Sequence, residues 1–271
     1  MLLASAAWRY DHFLFKTALL LSTNSPMTSR VVSVIGAGGG CGKLACQQLA
    51  AAGTSVRAIV RSPDKYAGVF DDAVDVRKGD VTDVDSLRTA LAGTTHCLFA
   101  ASAKRYFGAG AVDRDGAGAV ATVCKELGVT HLVVISSGLV APSQRWHPIR
   151  LLLNHFIWGL MDAKFAGEEI VRGSGQPYTI IRPGGLADTP MLCSTRPIIM
   201  AQNRSAAVPK SEQQISRSDV VAICLAAFDE AKARNATVEV GVAKVDDASA
   251  AAAAGISFDG VHPDDLSAAE I

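Results

Sequence analysis

The segment VVSVIGAGGGCGKLACQQLAAAGTSVRAIV, residues 31–60, constrains this chain more than any other. A β-branched run ends at Gly36, glycines recur at Gly36, Gly39 and Gly42, an Ala-rich helical stretch follows, and SVRAIV makes a second β-branched run. That order is a βαβ unit with a glycine turn at its first corner. Each glycine has a steric reason: a tight turn, close approach of backbone to a pyrophosphate, and close packing of helix on strand. The free N–H groups and positive dipole end of the helix then face the phosphates. Glycine loops also make ordinary turns, but strand, helix and second strand all sit where a dinucleotide-binding unit needs them. Gly40 and Cys41, in the same turn, are counted among the cofactor contacts. A thiol there is expected to feel a dipole that lowers its pKa, so that oxidation of Cys41 would block cofactor binding.

The residue that ends the second strand bears on which dinucleotide is taken. An NAD site places Asp or Glu about 20 residues past the loop to bind the ribose 2′-hydroxyl. This chain has Arg61 there. A guanidinium fork grips a 2′-phosphate that a carboxylate would repel, so NADP(H) is expected in preference to NAD(H). The bland alternative is a solvated surface arginine. Asp80 and Val81 follow the third strand, where the carboxylate can reach an adenine amino group. Ala100, Ala101 and Ser102, after the fourth strand, complete the expected cofactor contacts.

Beyond this unit, AVDVRK, HCLFAA, HLVVIS, YTIIRP and TVEVGV read as further strands with helical patterns between most of them. Such alternation predicts an α/β, doubly wound parallel sheet covered by helices on both faces. The expected boundaries are an extension at 1–29, a nucleotide-binding domain at 30–245 and a tail at 246–271. Within the domain the pattern lapses at 186–216, where Pro190, Pro197 and Pro209 predict an irregular lid over a substrate pocket. The tail is small-residue and acidic, expected to be weakly ordered and solvent-facing.

Composition excludes some partners. With 271 residues, 49% hydrophobic and a formal net charge of +0, the chain has material for one large core. It shows no charge footprint for nucleic acid or an anionic membrane surface. Six cysteines without a CxxC pair or zinc-ligand spacing read as reduced core thiols. No run reaches the roughly 18 apolar residues of a membrane span. Three readings fit residues 1–29: a transit peptide despite Asp11, a secretory signal interrupted by Lys16, or sequence upstream of a start at Met27. The third is favoured. A cytoplasmic location is expected, or a plastid or other organelle if 1–26 is a transit peptide.

VIGAGGGCG, VRSPDK, GDVTD, AVDRDGAGAVATVCKELGVTHLVVISS, GSGQPYTIIRPGGL and ISRSDVV stand in the order found in atypical short-chain dehydrogenase/reductases. Over residues 30 to 245 the chain resembles their NAD(P)-binding, NmrA-like subgroup. The resemblance implies a Rossmann fold with NADP(H) beneath a variable substrate pocket, and names no substrate.

Orthodox members of that superfamily set a proton-donating Tyr four residues before a Lys on one helix face, with a Ser after the fifth strand to polarise the carbonyl. Here NHFIWGLMDAKFAGEEIVRGSG reads as that helix and offers Lys164, followed one turn later by Glu168. Leu160 stands where the Tyr belongs. Lys164 is expected to bind the nicotinamide ribose or, more plainly, to pair with Glu168. Ser136 and Ser137, ending the fifth strand, are expected to contact nicotinamide or substrate or to cap the strand, with Ser137 and Lys164 as the catalytic candidates. Pro183, Gly184 and Gly185 are expected near the nicotinamide carboxamide, or in a simple turn. Asp113 resembles a residue that tethers neighbouring loops in relatives. Substitute proton donors are Tyr106, Tyr178, His147 and His155, each with a structural alternative.

Two functions follow: an NADP(H)-dependent oxidoreductase or redox isomerase on a small, largely apolar molecule, or a non-catalytic dinucleotide sensor or assembly scaffold. A monomer or homodimer is expected.

Overall fold

In a computed structural model the protein is described over residues 30–189, 198–202, 214–242 and 255–267. The first half runs β1 (Val31–Ile35), α1 (Gly40–Ala51), β2 (Ser55–Val60), β3 (Val74–Lys78), α2 (Val84–Leu91) and β4 (His96–Phe99). A π-helical turn, Gly110–Gly116, then leads into α3 (Ala117–Glu126) and β5 (His131–Ile135). The second half runs α4 (Pro148–Phe156), α5 (Leu160–Gly173), β6 (Tyr178–Pro183), β7 (Gly185–Ala187), β8 (Ile198–Ala201), β9 (Gln214–Ser216), α6 (Arg217–Ala227) and β10 (Ala236–Val242).

Among the described residues an eight-stranded sheet has the order β3-β2-β1-β4-β5-β6-β10-β8. Its pairings are parallel except the last, where β8 runs antiparallel to β10. Every residue of β4, β5, β6 and β10 is buried, as strands covered on both faces require. One apolar cluster joins β1 to α1 and α6, and the other joins the opposite face to α2, α3 and α5. The fold is thus the doubly wound Rossmann-type arrangement. The strand order reverses between β1 and β4, opening a crevice at their carboxyl ends.

Three sequence expectations change. The long helix predicted from Asn154 is broken, because Gly159 takes a left-handed φ of +66° that separates α4 from α5. The chain after residue 254 is not solvent-facing throughout: Phe258 and Val261 are buried in the core, and Asp264 accepts hydrogen bonds from Tyr178 Oη (2.9 Å), Thr237 Oγ1 (2.7 Å) and Thr237 N (2.9 Å). Those partners needed tertiary contact to be seen. The small sheet of β7 and β9 was also not foreseen. The lid expected at 186–216 falls largely outside the described residues. No helix among the described residues is long and apolar enough to cross a membrane.

Candidate dinucleotide site

The glycine turn is shaped by contacts that leave no room for side chains. Gly36 has φ +79°, and a Cβ on it would stand 2.6 Å from Ala101 N, pressing the turn against the loop after β4. A Cβ on Gly42 would overlap Gly36 O and stand 2.7 Å from Ala37 Cα, so α1 rests directly on the turn. Gly39 N donates to Gly36 O at 2.9 Å, and α1 starts at Gly40 with no side-chain cap and no acidic residue in its first turn. Its N–H groups and positive field are therefore open to an anion.

A cleft of about 260 Å³ opens over this turn. Gly36, Gly39, Arg61, Asp80, Val81, Ala100, Ala101 and Ser102 all lie in its wall. Gly40, Cys41 and Gly42 are not in that wall; they form the turn of helix behind it. Arg61 is exposed at the rim and makes no hydrogen bond or ion pair among the described residues. Burial pushes the Asp80 carboxyl up, but hydrogen bonds from Thr82 N (3.0 Å) and Thr82 Oγ1 (2.8 Å) and the charge of Arg61 outweigh it and hold it low. The wall is mostly backbone and small side chains near the phosphate turn and polar at the far end, which fits a dinucleotide.

Cys41 departs from expectation. Its thiol is half-buried and its pKa is raised, because burial outweighs the charge of Arg217. The low-pKa, oxidation-prone thiol expected from the helix dipole is not found. Sequence reasoning also missed Tyr66, which lies over Gly38 and lines the cleft, and Arg217, whose Cδ is 3.0 Å from the position of a Cβ on Gly40. Both come from elements remote from the glycine turn, so only the ISRSDVV motif gave a signal, and only for Arg217.

On the other side of the crevice, Lys164 Nζ lies 2.8 Å from Asp113 Oδ1, both side chains largely buried. Asp113 Oδ2 accepts the Ala103 N–H at 2.9 Å, so one carboxylate joins α5 to the loop after β4. The loop-tethering position expected of Asp113 is observed. Pairing of Lys164 with Glu168 is not, since Glu168 faces Arg172 and Arg182 instead. A Cβ on Gly167 would overlap Asp113 O, which explains how α5 approaches the π-helical turn so closely.

Asp113, Ser136, Lys164 and Glu168 surround one small cavity of about 10 Å³. Ser137 Oγ accepts the Leu139 N–H at 3.3 Å, and Gly138 N donates to Pro183 O at 2.8 Å, which brings the ends of β5 and β6 together. Gly184 N donates to Val240 O at 3.3 Å and Gly185 opens β7. Leu160 is buried in the apolar cluster with Met161 and Val140.

The substitute proton donors sit in structural places. His147 Nδ1 accepts the Ile149 N–H and caps α4, while His155 is exposed on that helix. Tyr178 is buried against Asp264. Tyr106 meets Phe107 edge-on and Trp158 at a tilt, forming an aromatic wall.

Comparison with known proteins agrees with this geometry. The NAD(P)H-binding family model matches residues 36–231. An uncharacterised chloroplastic protein of Arabidopsis thaliana is 34% identical over 172 residues, covering 60% of this chain and 61% of that protein. The chain thus spans about three fifths of that relative's length. An anaerobillin reductase from Escherichia coli superposes with a TM-score of 0.65 at 19% identity, over 80% of this chain and 100% of the other. A short-chain dehydrogenase/reductase of Veillonella parvula, solved in complex with NADP, superposes with a TM-score of 0.62 at 15% identity, over 78% and 94%. At these identities the two structures speak for the fold, and the family match for the ligand class. Open glycine turn, switch-point cleft and a family match over residues 36–231 together place this chain in the NAD(P)H-binding family.

Proposed function

We propose that the chain is an NADP(H)-dependent oxidoreductase acting on a small, largely apolar molecule. The observation that carries this reading is Arg61, exposed on the cleft rim at the end of β2, where an NAD-specific site presents a carboxylate. Lys104 and Arg105 line the same cleft and add positive charge for a 2′-phosphate. Gly36 and Gly39 bring backbone to the pyrophosphate and Asp80 accepts from the adenine amino group. Arg217, beside Gly40 and paired with Asp188, presents its guanidinium near the phosphates.

The nicotinamide, when bound, supplies the hydride. Asp113 holds the Lys164 ammonium toward the crevice, where the ribose hydroxyls are expected, and Ser137 and the Pro183–Gly185 backbone orient the ring and the acceptor. Leu160 carries no exchangeable proton, so the proton that completes a reduction comes from solvent in this reading. The NAD(P)-binding domain spans 30–245 in this reading, and the cytoplasm is its expected location. A plastid is the alternative, supported by the chloroplastic relative.

Calorimetric titration with NADPH, NADP+ and NADH, repeated on Arg61→Ala, tests the reading. NADPH binding at least tenfold tighter than NADH binding, with the gap closed in the variant, is the expected result. Equal binding of both by the unaltered protein would remove the NADP(H) assignment. NADPH oxidation no faster with a metabolite extract than without it would favour a dinucleotide sensor over an enzyme.

A further inference from the structure

Helix α4 is built inside out. Its one buried residue is Arg150, whose Nη1 donates to Val140 O (3.1 Å) and Ala141 O (2.6 Å) and whose Nη2 donates to Asp162 Oδ1 (2.7 Å). Asn154 strengthens the same latch, donating to Asp162 Oδ2 at 3.1 Å and accepting Met161 N–H at 2.7 Å. With Arg150 fastened inward and Leu153 packed on the Val140–Met161 cluster beside it, α4 turns Ile149, Leu152 and Phe156 outward along one stripe at helical spacing. Trp146 before the helix is 73% exposed, Phe156 65% and Trp158 63%. Trp158 N donates to Tyr106 O at 2.8 Å, and its ring packs against Tyr106, so the patch continues onto Phe107, which is 82% exposed. A contiguous apolar face of this extent is unusual on a protein that leaves it uncovered.

Its charge is one-sided. Segments 101–112 and 138–161 contain no Asp or Glu, and the adjoining Asp162, although its side chain is exposed, is paired with Arg150; Lys104, Arg105 and Arg145 border the face, the last 5.5 Å over the Trp146 ring. The net charge of zero hides this segregation.

We propose that this face docks the protein onto an anionic phospholipid surface, with α4 lying in the plane of the headgroups. Outward Leu, Ile and Phe enter the acyl boundary, Trp146 and Trp158 sit at headgroup level, and the basic border meets lipid phosphates. The inward Arg150 latch keeps the apolar stripe presented before any lipid is met. The proposal shares Lys104 and Arg105 with the cleft wall but rests on the exposed apolar face outside it, and its test reads vesicle partition rather than turnover.

The test uses the full chain carrying Trp8→Phe, excited at the red edge where tyrosine does not absorb, which leaves Trp146 and Trp158 as its only tryptophans. Vesicles of phosphatidylglycerol and phosphatidylcholine are expected to blue-shift the emission, and brominated acyl chains to quench it. Pure phosphatidylcholine vesicles are expected to bind at least tenfold more weakly. Adding Ile149→Ser and Phe156→Ser, exposed positions outside the cleft, should weaken partition at least tenfold while the thermal midpoint and NADPH binding hold. Three results would overturn the proposal: no partition into the mixed vesicles; equal partition into both vesicle types; or emission already blue-shifted without lipid. Light scattering then tells a second copy, with doubled mass, from coverage by another segment of the same chain.

Discussion

Glu168 Oε2 lies 2.6 Å from Arg182 Nη2, and both side chains are shut off from solvent. Arg172 Nη2 donates to the same oxygen at 2.8 Å, so two buried guanidinium groups share one carboxylate between α5 and β6. Removing the charge takes away the partner both cations share and leaves Arg172 to Glu169 and Asp264 and Arg182 to Glu239, 3.9 Å away. Glu168→Gln is therefore expected to destabilise the fold by about 3 kcal/mol, measured by urea denaturation at pH 7. Burial pushes the Glu168 carboxyl up, but the charge and hydrogen bonds of Arg182, then Arg172, outweigh it and hold its pKa low. Its contribution is complete above the unfolded value of about 4.3 and is lost as pH falls through the folded one. The gap between Glu168→Gln and the unaltered protein should accordingly narrow in strong acid.

Two buried histidines predict a milder pH dependence nearer neutrality. His96 and His131 are register partners on β4 and β5, and both meet the Phe228 ring edge-on. Burial pushes each down to about 4. The unfolded chain binds protons from about pH 6.5 downward, while the folded one resists them until about 4. Stability is thus full above pH 6.5 and falls between 6.5 and 4. The thermal midpoint should drop from pH 7 to pH 5, and a His96→Gln/His131→Gln variant should show a flatter profile over that interval.

Gly36 and Gly53 separate conformational strain from site geometry. Both have positive φ, +79° and +73°, but only Gly36 is pressed against other backbone. Gly53→Ala should lower the thermal midpoint modestly, by about 1 kcal/mol of strain, and leave NADPH binding intact. Gly36→Ala must in addition push Ala101 away. At least a tenfold loss of NADPH affinity by calorimetry is expected there, and not at Gly53.

Asp264 makes a prediction about the chain end. It binds Tyr178 Oη, Thr237 N and Thr237 Oγ1, and its own N–H donates to Asn235 O at 2.7 Å. Asp264→Ala leaves buried donors unmatched and should destabilise by about 1–3 kcal/mol. Hydrogen exchange at Thr237 should accelerate with it.

The sheet was legible in the sequence because its strands are apolar runs. VVSVI, SVRAIV and YTIIRP correspond to β1, β2 and β6 residue for residue. The glycine turn, Arg61 and Asp80 were legible for a related reason: each follows directly on a strand end, and strand ends define the cleft. Lys164 was found by its helix position, but its partner was not. Spacing along one helix offered Glu168, whereas tertiary packing supplied Asp113 from a π-helical turn that no periodicity announces. Tyr66 and Asp264 were illegible for the same reason, since each acts across the fold. Helix α4 was hidden differently. Its stripe of Ile, Leu and Phe reads as a core-facing helix until the Arg150 latch shows which side faces inward.

The position of Asp113 also limits how this site can change. Its two oxygens hold Ala103 in the loop after β4 and Lys164 on α5, so opposite banks of the crevice share a single fulcrum. A substitution that reshapes the 101–108 loop for another substrate pulls on the same carboxylate that sets the Lys164 ammonium. Under the function proposed above, loop shape and Lys164 placement are geared together, and variants at this loop are expected to trade one against the other unless Asp113 is kept in place.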